Sequence, residues 1–350
     1  MWRVVEGYTG GMSDSINHQV RLAARPTGTP GPEVWEHTTE PVGDPAAGRF
    51  VVKVSHVSLD PAMRGWMNEG KSYVPPVEVG AVMRALGLGE VVASNHPEFA
   101  VGDTVTGVLG VQEYLDTDGQ GLQKVTPTAT IPPERYLALL GMTGMTAYFG
   151  LFDVGGLREG ETVVVSGAAG AVGSVVGQLA KIKGARVVGI AGGPEKCSWI
   201  TDELGFDAAI DYRAQDVAKE LRTLAPDGVD VYFDNVGGEI LDAVLTRLRY
   251  GARVAICGAI STYNASEPVP GPRNYLSLLV NRARMEGFIV SDFAERWGEA
   301  ARELAGWLAE GRIHSREDVV DGTVDDFPEV LLKLFRGENT GKLVLRLRQG

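Results

Sequence analysis

The residues best suited to chemistry begin at Val163-Val-Val-Ser-Gly-Ala-Ala-Gly-Ala-Val-Gly-Ser174, where an apolar strand runs into a helix. The dinucleotide fingerprint G-x-G-x-x-G is nearly present. Ala168 stands in the first glycine place, and Gly170 and Gly173 keep theirs. A glycine at 170 lets backbone approach a pyrophosphate, and one at 173 lets helix pack close on strand. Ala169, Gly170, Ala171 and Val172 are therefore candidate phosphate neighbours, with N–H groups at a helix start to hold the anion. NAD sites place an acid about 20 residues further on, at the tip of the second strand. Here that tip reads Ile190-Ala-Gly-Gly193, including Gly192, with Lys196 just after it. A missing acid and a nearby cation favour a 2′-phosphate, hence NADP. Asp234-Asn-Val-Gly-Gly238 and Cys257-Gly-Ala-Ile-Ser261 end two later strands. Asn235, Cys257, Ala259 and Ser261 there either line a ligand or form sharp turns.

These turns need a scaffold. From Thr162 the chain alternates strands and helices: strands at Thr162–Ser166, Arg186–Ile190, Ala208–Asp211, Val229–Asn235, Arg253–Cys257 and Met285–Val290. Helices are expected at Val172–Lys183, Pro194–Leu204, Val217–Leu224 and Ile240–Leu248. This alternation predicts an α/β parallel sheet of the Rossmann type. Helical patterns also cover Glu134–Leu140 and Thr143–Leu151. The first third reads as short strands punctuated by Pro and Gly, including Arg49–Ser58, Leu88–Ser94 and Asp103–Val111, which suggests a β-barrel. Trp297, Ala300, Ala301, Leu304, Trp307 and Leu308 recur at helical spacing. A helix at Pro328–Arg336 and a strand at Lys342–Arg348 follow. So short a C-terminal piece has no core of its own and is expected to rejoin the first domain. The expected division is residues 1–136 with 309–350, and residues 137–308.

Composition bounds the function. The 350 residues include 46 Gly, 2 Cys and a net charge of −12. An acidic chain without a basic patch is a poor nucleic-acid or anionic-membrane binder. Two cysteines cannot build a disulfide framework or a thiolate zinc site, and they suit the cytoplasm. Met1–Asp14 lacks a signal-peptide pattern and reads as an extension.

The order of segments resembles the medium-chain dehydrogenase/reductases, and within them the zinc-independent double-bond reductases: leukotriene/prostaglandin, alkenal and curcumin reductases. The resemblance runs from about His18 to Arg348. It rests on Leu22–Pro32, Ser58-Leu-Asp-Pro-Ala-Met-Arg-Gly65, Gly167–Ser174, Asp211-Tyr-Arg213, Asp234–Gly238, Cys257–Asn264, Pro272-Arg-Asn-Tyr275 and Gly341-Lys342. Zinc-dependent members carry a Cys early in the first domain and a later Gly-His-Glu. Here Val57–Gly65 holds no Cys and the later stretch is Gly87-Leu-Gly-Glu90, so no metal is expected.

The resemblance implies a GroES-like β-barrel domain beside the Rossmann domain, a homodimer, and NADPH-dependent reduction of a C=C bond conjugated to a carbonyl. It implies that Lys196 and Tyr212 hold the 2′-phosphate end, and that Asn235, the Cys257–Ser261 turn and Asn339 line the cofactor. Tyr263 matches a tyrosine proposed to give the substrate a proton or hydrogen bond. A phenol of pKa ~10 is protonated at neutral pH and can serve as an acid. Three positions depart from the family. Ala62 replaces a tyrosine expected to border the substrate, Trp66 replaces a small or basic residue, and the family's proline near Thr143 is missing. A quinone reductase and a non-catalytic NADPH-binding protein are the alternatives.

Overall fold

The computed structural model describes Met12 and residues 15–348. Apart from Met12, the N-terminal extension lies outside the described residues.

The first domain opens with β1 (Ile16–Leu22) paired antiparallel with β2 (Trp35–Pro41). Then come β3 (Phe50–Ser58), a short helix α1 (Ala62–Trp66), β4 (Leu86–Ser94), β5 (Thr104–Val108), β6 (Tyr114–Thr117) and β7 (Gln123–Val125). The β-branched run Phe50–Ser58 suits the centre of a sheet. Indeed β3 pairs with β4, with β6 and with a strand from the far C-terminus.

A 3-10 turn, Pro133–Tyr136, leads to α2 (Met142–Phe149). A helix over Glu134–Leu140 is expected but not formed. The chain reverses so sharply that a Cβ on Gly141 would lie 2.2 Å from the Tyr136 carbonyl oxygen.

Next come β8 (Thr162–Ser166), α3 (Gly173–Ile182), β9 (Arg186–Ala191), α4 (Pro194–Ser198), β10 (Ala208–Asp211) and α5 (Val217–Leu224). These are followed by β11 (Val229–Asp234), α6 (Gly238–Leu245), β12 (Leu248–Ile256), α7 (Leu276–Asn281) and β13 (Arg284–Gly287). The six strands form a parallel sheet in the order β10-β9-β8-β11-β12-β13. The order reverses between β8 and β11, where open α/β sheets place their ligand crevice.

The expected strand Met285–Val290 is shorter in fact. Phe288 leaves the edge to meet Phe233 edge-on at 6.2 Å, and Val290 is buried. The helix expected over Pro194–Leu204 ends as an α-helix at Ser198 and continues as a π turn, Trp199–Glu203. Two apolar clusters fill the sheet's faces, one around Val163, Val165 and Leu179 and one around Val164, Val188 and Val254. Burying each such side chain is worth roughly 1.5–3 kcal/mol.

α8 (Trp297–Ala309) presents Ala300 and Leu304 to the first of these clusters. β14 (Glu317–Gly322), α9 (Phe327–Arg336) and β15 (Lys342–Leu347) complete the chain. β15 pairs parallel with β14 and antiparallel with β3, giving the order β14-β15-β3-β4-β5-β7. No helix of the described residues is long and apolar enough to cross a membrane.

Candidate functional site

The glycine-rich turn sits at the reversal point of the parallel sheet. Gly167 has φ +58° and its carbonyl accepts from Gly170 N–H at 2.9 Å. Two glycines differ in what they do. A Cβ on Gly173 would meet the Gly167 oxygen at 2.3 Å and Ala168 Cα at 2.9 Å, so this glycine serves internal packing. A Cβ on Gly170 would meet, among the described residues, just the Gly167 oxygen at 3.2 Å. Ala168 is tolerated in the first glycine place because Gly189 faces it: a Cβ at 189 would come within 3.0 Å of the Ala168 Cβ. The backbone N–H groups of Ala171 and Val172 donate to no acceptor among the described residues. These are the donors a pyrophosphate requires.

The neighbouring strand end closes the crevice. Asn235 donates its amide to the Ser166 carbonyl at 2.7 Å and accepts nothing there, joining the tips of β8 and β11. From the other side, Gly341 bridges Gly170, and Asn339 donates to the Gly341 carbonyl at 3.0 Å.

Past β9, Gly192, Lys196 and Tyr212 come together with Arg213. A Cβ on Gly192 would lie 2.9 Å from the Tyr212 hydroxyl and 3.0 Å from Arg213 Nε. Lys196 Nζ donates to the Gly337 carbonyl at 2.8 Å, and Arg213 donates to the Arg336 carbonyl at 3.2 Å. Neither cation has an ion-pair partner among the described residues. Burial, and then the Arg213 charge, pull the Lys196 pKa down, with Asp318 opposing. Two cations held by neutral carbonyls form a site that an added dianion would relieve. The Asp211 carboxylate is spent on the N–H groups of Gly193 and Arg213, at 2.8 and 3.0 Å. Unpartnered N–H groups at the turn and unpaired cations at the strand tip fit an NADP.

The third group is built around buried Asp234. One carboxylate oxygen accepts from Ser166 Oγ, the Tyr232 hydroxyl, and the N–H groups of Val236 and Gly237, at 2.7–3.0 Å. The Asp234 carbonyl accepts from Cys257 and Gly258. Ser261 Oγ donates to the Val236 carbonyl at 2.6 Å. This lattice fixes the Cys257–Ser261 turn, and Tyr263 follows from it. The Tyr263 hydroxyl accepts from Ala259 N–H at 3.2 Å. Burial raises its pKa, and the Ala259 hydrogen bond opposes that only in part. The phenol therefore keeps its proton, and no described acceptor takes it.

Tyr263 lines a cavity of about 350 Å³. One wall is Pro26–Gly28 with Arg64, Gly65 and Asn68, and residues between Thr262 and Val269, Glu267 among them, form the other. Arg64 is buried and shapes this wall. It donates to the carbonyls of Pro26 and Gly28 at 3.0–3.1 Å and to Asn68 Oδ1 at 2.5 Å. The preceding loop is anchored by fully buried Lys342, whose Nζ reaches the Leu59 carbonyl and Asp60 Oδ1, both at 2.7 Å. Ala62 and Trp66 lie on α1 beside this wall, although the wall itself is Arg64, Gly65 and Asn68.

The structure thus gathers Ala169–Val172, Asn235 and Asn339 around the glycine-rich turn, and Gly192, Lys196 and Tyr212 past the tip of β9. Cys257, Ala259, Ser261 and Tyr263 stand beside the cavity. Arg213 and Arg64 belong to these groups too. Both lie within sequence motifs, yet nothing local marks their partners.

Residues 18–125 match a family described as the N-terminal domain of oxidoreductase, and residues 171–306 one described as zinc-binding dehydrogenase. Among the described residues, no group of three or more His, Cys, Asp and Glu side chains could hold a metal ion. The chain is 49% identical to a putative NADP-dependent oxidoreductase, YfmJ, of Bacillus subtilis, over 94% of this chain and 97% of that one. It is 43% identical to the NADPH-dependent curcumin reductase of Escherichia coli, over 96% and 99%. The solved structure of CurA in complex with NADPH from Vibrio vulnificus superposes with a TM-score of 0.90 at 43% identity, covering 95% of this chain and 100% of that one. The chain belongs to the zinc-independent medium-chain dehydrogenase/reductases.

Proposed function

We propose that the protein is an NADPH-dependent reductase of C=C bonds conjugated to a ketone or aldehyde. The observation that carries this reading is the Tyr263 phenol, its proton uncommitted, in a cavity beside a complete dinucleotide crevice. Bound NADPH supplies a hydride, which an enone accepts at its β-carbon. The chain's own residues do the rest. Ala171 and Val172 N–H groups hold the pyrophosphate, and Lys196, Tyr212 and Arg213 hold the 2′-phosphate. Asn235, Asn339 and the Cys257–Ser261 turn orient the nicotinamide half. Tyr263 donates to the carbonyl oxygen as negative charge grows there, which lowers the barrier. Tyr263 or water then gives the α-carbon of the enolate its proton, which yields the saturated carbonyl. The names of the similar curcumin reductase and NADPH complex support the substrate class and the cofactor.

Residues 1–136 and 309–350, whose described part carries the seven-stranded sheet rather than a closed barrel, are read as the substrate domain, and 137–308 as the cofactor domain. A homodimer is supported by an apolar surface on and beside α7, next to edge strand β13. Leu276, Leu279 and Val280 there are 59, 75 and 66% exposed. Exposed patches and open edges of this kind are ordinarily covered. Cys197 and Cys257 are free thiols, which suits the cytoplasm.

The test is NADPH oxidation across enones, enals and quinones. Turnover of enones with saturated ketone as product is expected. Quinones as the better substrates would reassign the enzyme as a quinone reductase. Tight NADPH binding without turnover would make it a binding protein.

A further inference from the structure

Lys342 carries a charge at the buried start of β15, the strand between β14 and β3. Its ammonium donates to the Leu59 carbonyl and to Asp60 Oδ1, both at 2.7 Å. Asp60 is held in turn, because its Oδ2 accepts from Ser58 Oγ at 2.5 Å. Leu59 N–H closes the set by donating to the Leu343 carbonyl at 3.2 Å. Well-packed apolar side chains in place of a buried ion pair are often as stable or more so. Stability alone does not account for a lysine here.

What the ion pair holds is the start of the cavity wall. The Asp60 carbonyl accepts from Met63 N–H at 3.0 Å and the Pro61 carbonyl from Arg64 N–H at 3.1 Å, which turns the chain into α1. Arg64, Gly65 and Asn68 then line the cavity together with Tyr263. The residue before Lys342 belongs to the glycine-rich turn. Gly341 N–H donates to the Ala169 carbonyl at 2.8 Å. Gly341 has φ +73°, and a Cβ there would strike the Arg316 carbonyl oxygen at 2.1 Å. Lys342 N–H donates to that same carbonyl at 2.9 Å. Two adjacent residues, their Cα atoms about 3.8 Å apart, thus grip both halves of the site. Gly341 grips the turn proposed to carry the pyrophosphate, and Lys342 grips the wall of the cavity.

We propose that Lys342 is a positioning residue for hydride transfer. Through Leu59 and Asp60 it fixes the Arg64 wall relative to the glycine-rich turn, so that an acceptor seated on that wall is held in register with the cofactor. The proposal rests on the reading of this cavity as a hydride-transfer site. Lys342 lies outside the cavity lining and acts only through α1. Register matters because a misplacement of about 1 Å can cost about 10²-fold in rate.

The experiment compares Lys342→Met with the pair Lys342→Met/Asp60→Asn, which leaves no buried charge without a partner. If the single variant does not fold, the pair decides. In amide hydrogen exchange of the cofactor-free protein, Met63 and Arg64 should exchange at least about 10-fold faster while the β3–β4 ladder is unaltered. NADPH affinity, by fluorescence titration, should be unchanged, because Gly341 keeps its bond to Ala169. Single-turnover oxidation of bound NADPH by saturating enone should slow by about 10- to 100-fold at full amplitude. Reduced amplitude at the unsubstituted rate, with exchange faster throughout the sheet, would make Lys342 a support of the fold alone and overturn the proposal. An unaltered rate in the pair would overturn it too. Failure of the enone reading looks different: the unsubstituted enzyme would reduce quinones and no enone, and the same measurements with a quinone would then test Lys342.

Discussion

The backbone N–H of Gly341 donates to the carbonyl of Ala169 at 2.8 Å, so the start of the last strand is hydrogen-bonded to the crest of the glycine-rich turn. The two domains therefore share a main-chain contact where the pyrophosphate is proposed to sit.

Gly170 and Gly173 should separate in a mutagenesis experiment. Gly173→Ala drives a Cβ into Gly167 and Ala168, and should cost about 1–3 kcal/mol of stability by overpacking. Gly170→Val, facing the crevice, should leave the melting temperature nearly unchanged while NADPH affinity drops more than 10-fold. Denaturant titration and NADPH fluorescence titration measure the two. Equal stability loss at both positions would remove the ligand role of Gly170.

Lys196→Ala should weaken NADPH by about 10- to 100-fold, as expected for one charged hydrogen bond, and leave NADH nearly unaffected. Arg213→Ala should act in the same direction. Binding titrations with both cofactors check this, and parallel losses for NADH would show that Lys196 only braces the Gly337 carbonyl.

Tyr263→Phe should lower kcat for enones by roughly 10²-fold without changing NADPH affinity. Because burial raises the Tyr263 pKa, the protonated donor persists above the ordinary value of ~10. A kcat–pH profile should therefore show no alkaline fall attributable to this group below about pH 10. An unchanged kcat in the phenylalanine variant would leave Tyr263 a packing role only.

Alkaline pH should destabilise the fold itself. Burial, and next the charge of Asp234, push the Cys257 thiol from 9.0 up to about 12. Burial and then Glu303 push Tyr148 up to about 12. Both groups are neutral in the folded state and ionise earlier when unfolded. Their contribution is complete below about pH 9 and is lost as pH rises towards 12. Urea unfolding should report a loss of about 2 kcal/mol at pH 10.5 from Cys257 alone, and Cys257→Ala should flatten that slope. A slope identical in the variant would reject the assignment.

Much of the nucleotide-binding fold was legible in the residues. The expected strand Thr162–Ser166 and helix Val217–Leu224 are the observed ones, residue for residue. Each has a local cause: a valine run in the first, and in the second an Asp216 cap that accepts from Lys219 N–H at 3.0 Å. Elements set by distant contacts were not legible. The Glu134–Leu140 pattern is overridden by the close reversal at Gly141. Phe288 and Val290 read as strand but are drawn off by Phe233 and the core. In the site, the glycine turn and Lys196 announce themselves by spacing. Arg64 gives no such signal, because its carbonyl partners lie 36 and 38 residues away.

The buried bond between Lys342 and Asp60 also bears on the order in which the chain can fold during synthesis. The parallel sheet is complete once Gly287 has emerged, since its strands are contiguous in sequence. The first domain's sheet lacks β15 beside β3 until Lys342 and the residues after it have been made, 282 residues after Asp60. Its hydrophobic strands must wait unfinished while the later sheet forms, the circumstance in which nascent chains need chaperone protection.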